Sequence, residues 1–455
     1  MNKQRYKTPE FWISFAGLAA LASVFLLWLV QTDITASGLA AAILSTVLFA
    51  AVCLRFVPQW MRFWQNQPDT ADKQPGNVPK TEIRIFTALL LLSFGFILAA
   101  FLLRRLMGYN ETFLESLSFW TCTDSKHYLD IARDWYLSEG ELDRLVQLVF
   151  LPGYPIVVRL VNLIIGNYLY SGLLISSFSF AGAGCIIYKL VCLDYSHRTA
   201  LRTVKYLCLL PGVFFFAAPM SESLFLLLCA VCIYCARTRR WLSGCIFGAL
   251  AAFTRSLGVT LFVPLFFEAI SEFAHERSTL SARLAWKRLA ERLAALPIIL
   301  VGFAAYCAIN YFVSGDPFKF MQYQREHWGQ QLGWFFNTAA YQTELAIACI
   351  GKDRSTLLGL WLPNLAACFG SLLAMFAAGK KMRPSYTAWF IVYYVVAVGA
   401  TWLLSAPRYL IALIPVPIAF SLASDKPEYD IAISVVCAAA GILYFFAFLL
   451  RWQVW

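Results

Sequence analysis

The sequence predicts an all-α, polytopic membrane protein of about thirteen transmembrane helices, and two features carry that expectation. Of its 455 residues, 60% are hydrophobic, 16% are aromatic and only 14% are charged, a balance outside the range of water-soluble domains. The apolar residues are gathered into successive runs, while Lys and Arg collect in the short segments between them, which is the loop bias of the positive-inside rule. The net charge of +11 is therefore read as topology, and no nucleic-acid partner is expected. Most of the 13 cysteines lie inside apolar runs, where they act as small hydrophobes. Cys122 and Cys349 alone fall in outer loops, so at most one disulfide is expected.

Taken in order, the N-terminal basic residues Lys3, Arg5 and Lys7 precede a run over 11–30 that is too long for a signal-peptide core and reads as a retained first span. A second span covers 38–56. The polar, basic linker over 58–80 is cytoplasmic by its charges, and segment 1–82 reads as two extra spans plus this linker. A third span over 83–103 delivers 104–146 to the outside. Next, the apolar helix up to residue 165 carries Arg159 and Asn162 and fits an outer-surface position better than a crossing. The chain returns inward over 170–193. Two short apolar runs, 206–218 and 224–236, then flank Ser221-Glu222-Ser223. A second such pair, 241–253 and 258–269, flanks Thr254-Arg255-Ser256, with a basic amphipathic segment over 272–292 on the inside. Runs this short fall below the roughly 17 residues that cross a bilayer, so their ends must be buried in protein or face an aqueous cavity. Further spans cover 297–313, 357–378, 386–404 and 410–422, and 426–455 holds a last one. The core is expected over 83–425.

The polar stretch Thr123-Asp124-Ser125-Lys126-His127-Tyr128 stands out in so apolar a chain. If it is helical from Asp124, that carboxylate and the His127 ring address one small volume. Asp124 is equally suited to cap the helix, and Asp130 and Asp134 to form a solvated face. Under the topology above, Asp124, His127, Glu222, Arg255, His327 and Arg408 all fall on the outer side. Ionisable groups at such positions are costly and usually pair or bind substrate. The plainer alternatives are a structural Glu222–Arg255 pair, Arg408 snorkelling to lipid headgroups, and His327 beside Trp328 as an interfacial anchor.

Asp124-x-x-His127-Tyr128, Pro152-x-Tyr154-Pro155, Leu210-Pro211, Ser221-Glu222-Ser223-Leu224-Phe225, Thr254-Arg255-Ser256 and Pro407-Arg408-Tyr409 follow the order seen in the PIG-V-type mannosyltransferases. The chain resembles that family over roughly residues 84 to 425. Thr123 stands where the family has Trp, and Leu257 where an Asn is common. The resemblance implies a GT-C glycosyltransferase, a bacterial relative in the plasma membrane with its active site in the extracytoplasmic loop 104–146. It implies a polyprenyl-phosphate-linked sugar donor, a lipid, glycan or protein acceptor, and inversion at the anomeric carbon. Asp124 would then be the general base, with His127 assisting and Asp130 as second carboxylate. Arg255 and Arg408 would hold the donor phosphate, and Glu222, Tyr154 and His327 would contribute to substrate binding. The residues show no metal cluster, although Asp124 with Asp130 or Glu222 leaves room for a divalent cation. The alternatives are a secondary transporter, whose broken helices would be related by an internal repeat, and a non-catalytic assembly or lipid-scaffold protein.

Overall fold

The computed structural model describes residues 9–64, 80–136 and 142–454; most of the 58–80 linker lies outside them. The architecture is all-α and polytopic: among the described residues the sole β pairing is an isolated bridge between Leu332 and Ala400. Eight helices there are long and apolar enough to cross a membrane, and three shorter apolar helices accompany them. Two of the apolar runs expected as spans are broken. The run over 206–218 ends its helix at Leu209 and turns at Gly212, whose φ of 94° is left-handed. The run over 410–422 is split between Ala406–Ile411 and Pro415–Ala423, since a proline opens a helix but cannot continue one. Both breaks lie near the candidate site.

The helix Glu222–Arg237 runs through the middle of the bundle. It is apolar on every side, the pattern of a helix buried all round, and Phe225, Leu226, Cys229, Cys232 and Ile233 are fully buried. It packs between Tyr168–Cys192 and Trp241–Thr254. The last of these meets Ile298–Ser314 at Gly302, where a Cβ would lie 1.8 Å from the Ala249 carbonyl oxygen. Only glycine permits that approach.

Both ends of Glu222–Arg237 are held by ions. At the C-terminal end, Arg237 pairs with both oxygens of Asp194 at 2.6 Å. Arg383 pairs with Glu268 at 2.7 Å and with Asp194 at 3.1 Å, and Ser385 donates to Glu268 at 2.5 Å. Two guanidiniums and two carboxylates thus close a neutral knot that ties four helices. At the N-terminal end stands Glu222, described below.

The helix Ala36–Trp64 lies along Phe335–Cys349 and Leu362–Ala378. Phe49 meets Phe335 with ring centroids 4.5 Å apart, and Arg55 donates to the Phe376 carbonyl. Pro9–Gln31 is peripheral, anchored where the Trp28 indole donates to Asn337 at 3.1 Å. After the last helix, Pro427–Leu449, Arg451 donates to the Phe119 carbonyl at 2.6 Å and stacks over that ring at 3.9 Å. The C-terminal span therefore fastens the loop that leads to Asp124. All 13 cysteines are free thiols, Cys122 and Cys349 included.

Candidate functional site

The polar loop is built locally before it meets the bundle. Thr112 and Glu115 form a reciprocal capping box, which satisfies two helix-end donors, and Trp120 is buried just beyond it. Thr123 has φ 49° and ψ −128°, a sparsely populated conformation for a β-branched residue that costs about 1–3 kcal/mol. This kink starts the helix Asp124–Asp134, so Asp124 is its first residue and not its cap. At the other end, Arg159 donates to the carbonyls of Ala132 and Arg133, both at 2.8 Å. An arginine of the helix Gly153–Ile165 thus caps the helix that carries Asp124.

A chain of ions runs inward from there. Asp124 pairs with Arg408 at 2.7 Å, Arg408 with Glu222 at 2.5 Å, and Glu222 with Arg255 at 2.8 Å. Arg255 also donates to Ser221 at 3.1 Å, and Ser221 lies 2.8 Å from the Tyr128 hydroxyl. Glu222 is fully buried and Arg408 is 3% exposed. Each buried ion carries a desolvation penalty of several kcal/mol, so such groups persist only when paired. The charges of the four cancel.

Beside this chain lies a cavity of about 730 Å³, whose wall includes Asp124, Tyr128, Arg255, Arg325, Trp328 and Tyr409. Arg255 reaches it because Gly153, within the Pro-x-Tyr-Pro segment, lets the helix Gly153–Ile165 touch the end of Trp241–Thr254. A Cβ on Gly153 would lie 2.4 Å from Thr254 Oγ1 and 2.8 Å from Thr254 Cα. The Arg255 guanidinium in turn sits 5.0 Å over the Tyr409 ring.

Asp124, Glu222, Arg255 and Arg408 are brought together from four separate segments. The expected structural pairing of Glu222 with Arg255 is present too. Arg408 is not at the cavity mouth, however: the short helix Ala406–Ile411 turns it inward between two carboxylates and leaves Tyr409 on the cavity wall. That guanidinium also occupies the space between Asp124 and Glu222 where a cation was allowed. Among the described residues, no group of three His, Cys, Asp or Glu side chains is placed to hold a metal ion.

Four other candidates stand apart from the cavity. His127 stacks on Phe150 with centroids 4.7 Å apart, one ring behind the wall. Asp130 pairs with Arg133 at 2.9 Å. Tyr154 is fully buried, donates to the Gly172 carbonyl at 2.9 Å and supports Tyr128 edge-on at 5.5 Å. His327 is exposed beside Tyr323. The helix Lys319–Trp328 presents Gln324, Arg325 and Trp328 to the cavity, and a residue next to Trp328 in sequence points about 100° away around a helix. The i, i+3 spacing of Arg325 and Trp328 was the signal that could have found them. Ser221 and Tyr128 sit inside quoted motifs but drew no role.

No family model matches the sequence. Over 234 residues it is 29% identical to mouse GPI alpha-1,6-mannosyltransferase 2. The chain is similar to a PIG-V-type mannosyltransferase. The matched stretch spans 47% of this chain and 41% of the mouse protein, well under two thirds of that relative. Among solved structures, ArnT from Cupriavidus metallidurans bound to undecaprenyl phosphate aligns with a TM-score of 0.49 and 14% identity, over 79% of this chain and 63% of that one. The archaeal oligosaccharyltransferase AglB from Archaeoglobus fulgidus, in complex with an inhibitory peptide and a dolichol-phosphate, aligns at 0.41 and 11% identity, over 82% and 56%.

Glu222→Gln keeps the volume of the side chain but leaves two buried guanidiniums short of a counter-charge. It should lower stability by about 3–5 kcal/mol, read as a large fall in Tm of the detergent-solubilised protein. An unchanged Tm would show that the ion chain does not support the fold.

Burial holds the His127 imidazole below its ordinary value, which is about 6.5, so the ring is neutral at pH 7. The unfolded chain takes up that proton more readily, and this residue's contribution to stability is lost as the pH falls below about 6.5. Measured by Tm from pH 8 to pH 5, wild type should lose more than His127→Gln. Parallel curves would contradict it.

Proposed function

We propose that this chain is an integral-membrane glycosyltransferase that moves a sugar from a polyprenyl-phosphate donor to the hydroxyl of a lipid, glycan or protein acceptor, with inversion. By the likeness to the mouse protein the sugar is mannose. The observation that carries the reading is Asp124: a carboxylate on a cavity wall, held in one orientation by a buried arginine. In this reaction the acceptor oxygen attacks the anomeric carbon from the face opposite the phosphate, and Asp124 takes the hydroxyl proton as the new bond forms. The bond from the anomeric carbon to the phosphate oxygen breaks, and the electron pair leaves with the polyprenyl phosphate.

The leaving phosphate needs a cation that is not already spent. Arg408 is enclosed by Asp124 and Glu222, and Arg255 shares Glu222. Arg325 lines the same cavity and forms no ion pair with a described residue, so it is assigned the donor phosphate, which a guanidinium can grip with two parallel hydrogen bonds. Arg255 acts as a second, partly neutralised donor. Trp328 offers the sugar an aromatic face. Guanidiniums, not a divalent cation, neutralise the phosphate in this account, and transfer is expected to survive chelation with EDTA. The cavity is assigned to the extracytoplasmic side because Arg237, Arg239, Arg240, Lys380, Lys381 and Arg383 gather at the opposite ends of the helices that reach it, as the positive-inside rule requires of cytoplasmic ends.

The test is transfer of radiolabelled mannose from polyprenyl-phosphate mannose by the full chain in nanodiscs. Asp124→Asn should lose roughly a hundredfold or more, the least that removal of a general base costs. Arg325→Gln should raise the donor KM about ten- to a hundredfold, the loss of one charge-assisted bond, while Arg354→Gln leaves it unchanged. Wild-type donor dependence in Arg325→Gln would reassign the phosphate site. Failure of the wild-type chain to transfer from any polyprenyl-phosphate hexose would remove the reading itself.

A further inference from the structure

A second cavity, of about 520 Å³, opens where the helix Trp241–Thr254 begins. That helix ends at the candidate site, and its 14 residues place the two cavities about 20 Å apart along it, at 1.5 Å per residue. The wall of this cavity carries three arginines and two glutamates, namely Arg239, Arg288 and Arg292 with Glu276 and Glu291, and also Trp241.

Its polar groups are only half used. Arg292 is 6% exposed, and its Nη2 pairs with Glu276 at 2.6 Å and Glu272 at 2.9 Å. Its Nη1 is buried with no hydrogen-bond partner among the described residues, and so is the indole Nε1 of Trp241. Leaving such donors unsatisfied is costly. Arg288 reaches Glu276 at 3.0 Å, whereas Arg239 is exposed and forms no ion pair with a described residue. Glu276 Oε2, on the same wall, is a buried acceptor that also lacks a partner. A ligand that satisfies these groups has an anionic oxygen cluster for the arginines and indole, and a hydrogen-bond donor for Glu276. With Glu272 on Arg292 and Lys287 on Glu291 counted in, four positive charges stand against three negative, and the surplus of one matches a phosphodiester. On the cavity wall the apolar Leu242 side chain is 59% exposed, a surface for an acyl chain at the membrane boundary.

We propose that this cavity binds the headgroup of an anionic, hydroxyl-bearing phospholipid of the phosphatidylglycerol type. Its phosphodiester meets Arg239, Arg292 Nη1 and Trp241 Nε1, and a headgroup hydroxyl donates to Glu276. Basic pockets between helices at the cytoplasmic boundary take lipid headgroups in this manner. Occupancy does not depend on the transfer reaction, since none of these residues lines the first cavity.

Native mass spectrometry of the delipidated full chain, titrated with dioleoyl phosphatidylglycerol, tests the assignment. One lipid should bind saturably and more tightly than dioleoyl phosphatidylcholine, which has no headgroup hydrogen-bond donor. Arg239→Gln, at an exposed side chain the fold does not use, should weaken binding about fivefold, the worth of one arginine near a lipid surface. Trp241→Phe, which removes the indole donor, should also weaken it, and Arg283→Gln should not. Equal affinity for phosphatidylglycerol in wild type and Arg239→Gln would overturn the proposal. So would equal affinity for phosphatidylcholine. Full displacement of the lipid by millimolar inorganic phosphate would overturn it as well, by identifying a free-phosphate site.

Discussion

The guanidinium of Arg408 lies between the carboxylates of Asp124 and Glu222, 2.7 Å from one and 2.5 Å from the other, and the rest of the site is arranged around that contact. A buried guanidinium with one carboxylate is a marginal arrangement, because desolvation of the two ions offsets much of their attraction. A second carboxylate changes the balance, and a second arginine, Arg255, then restores neutrality. The result fixes a loop, a helix start, the short helix Ala406–Ile411 and the Thr254–Ser256 turn with respect to one another. None of these segments is regular enough to be fixed by backbone hydrogen bonds alone.

The rigidity has a second source at the far end of the same helix. Glu222–Arg237 is 16 residues long, about 24 Å at 1.5 Å per residue, and each end is clamped by a neutral four-ion knot. The knot at Asp194, Arg237, Glu268 and Arg383 holds the helix ends together without lining the large cavity. A helix pinned at both ends and buried all round transmits little slack, so Glu222 is a fixed point against which Arg408 and Arg255 can be oriented. The strain at Thr123 fits this picture. A sparsely populated backbone conformation persists only where its surroundings over-determine it, and here Arg451, Arg159 and Arg408 hold the segment from three sides.

Much of this was legible in the sequence, for identifiable reasons. Ionisable residues in an apolar chain are conspicuous, and short apolar runs that cannot span a bilayer must end in protein or water, so Asp124, Glu222, Arg255 and Arg408 could be grouped before any coordinates existed. Their order could not. Whether an arginine faces a cavity or a carboxylate depends on the rotation of a six-residue helix about its own axis, and Pro407 alone does not set it. That His127 and His327 stand apart from the cavity wall was illegible for a related reason: helical spacing names the residues that share a face but not the face that meets the cavity. Tyr154 was conspicuous because of the prolines around it, yet it is a packing residue, and its neighbour Gly153 makes the close contact. Arg325 was missed because charges in an outer loop read as solvated until the loop is seen to form a wall. The breaks at Pro211-Gly212 and Pro415 were not legible because hydropathy treats such runs as continuous.

If Arg408 serves the chemistry only by holding Asp124, removing it matters only while Asp124 is there to be held. The direct measurement is a double-mutant cycle on kcat for sugar transfer, with Asp124→Asn, Arg408→Gln and the pair, each confirmed folded by its Tm. Groups that act as one unit are strongly non-additive. The account predicts that the pair transfers sugar no more slowly than Asp124→Asn alone. Losses that multiply would contradict it, and would return Arg408 to direct contact with the substrate.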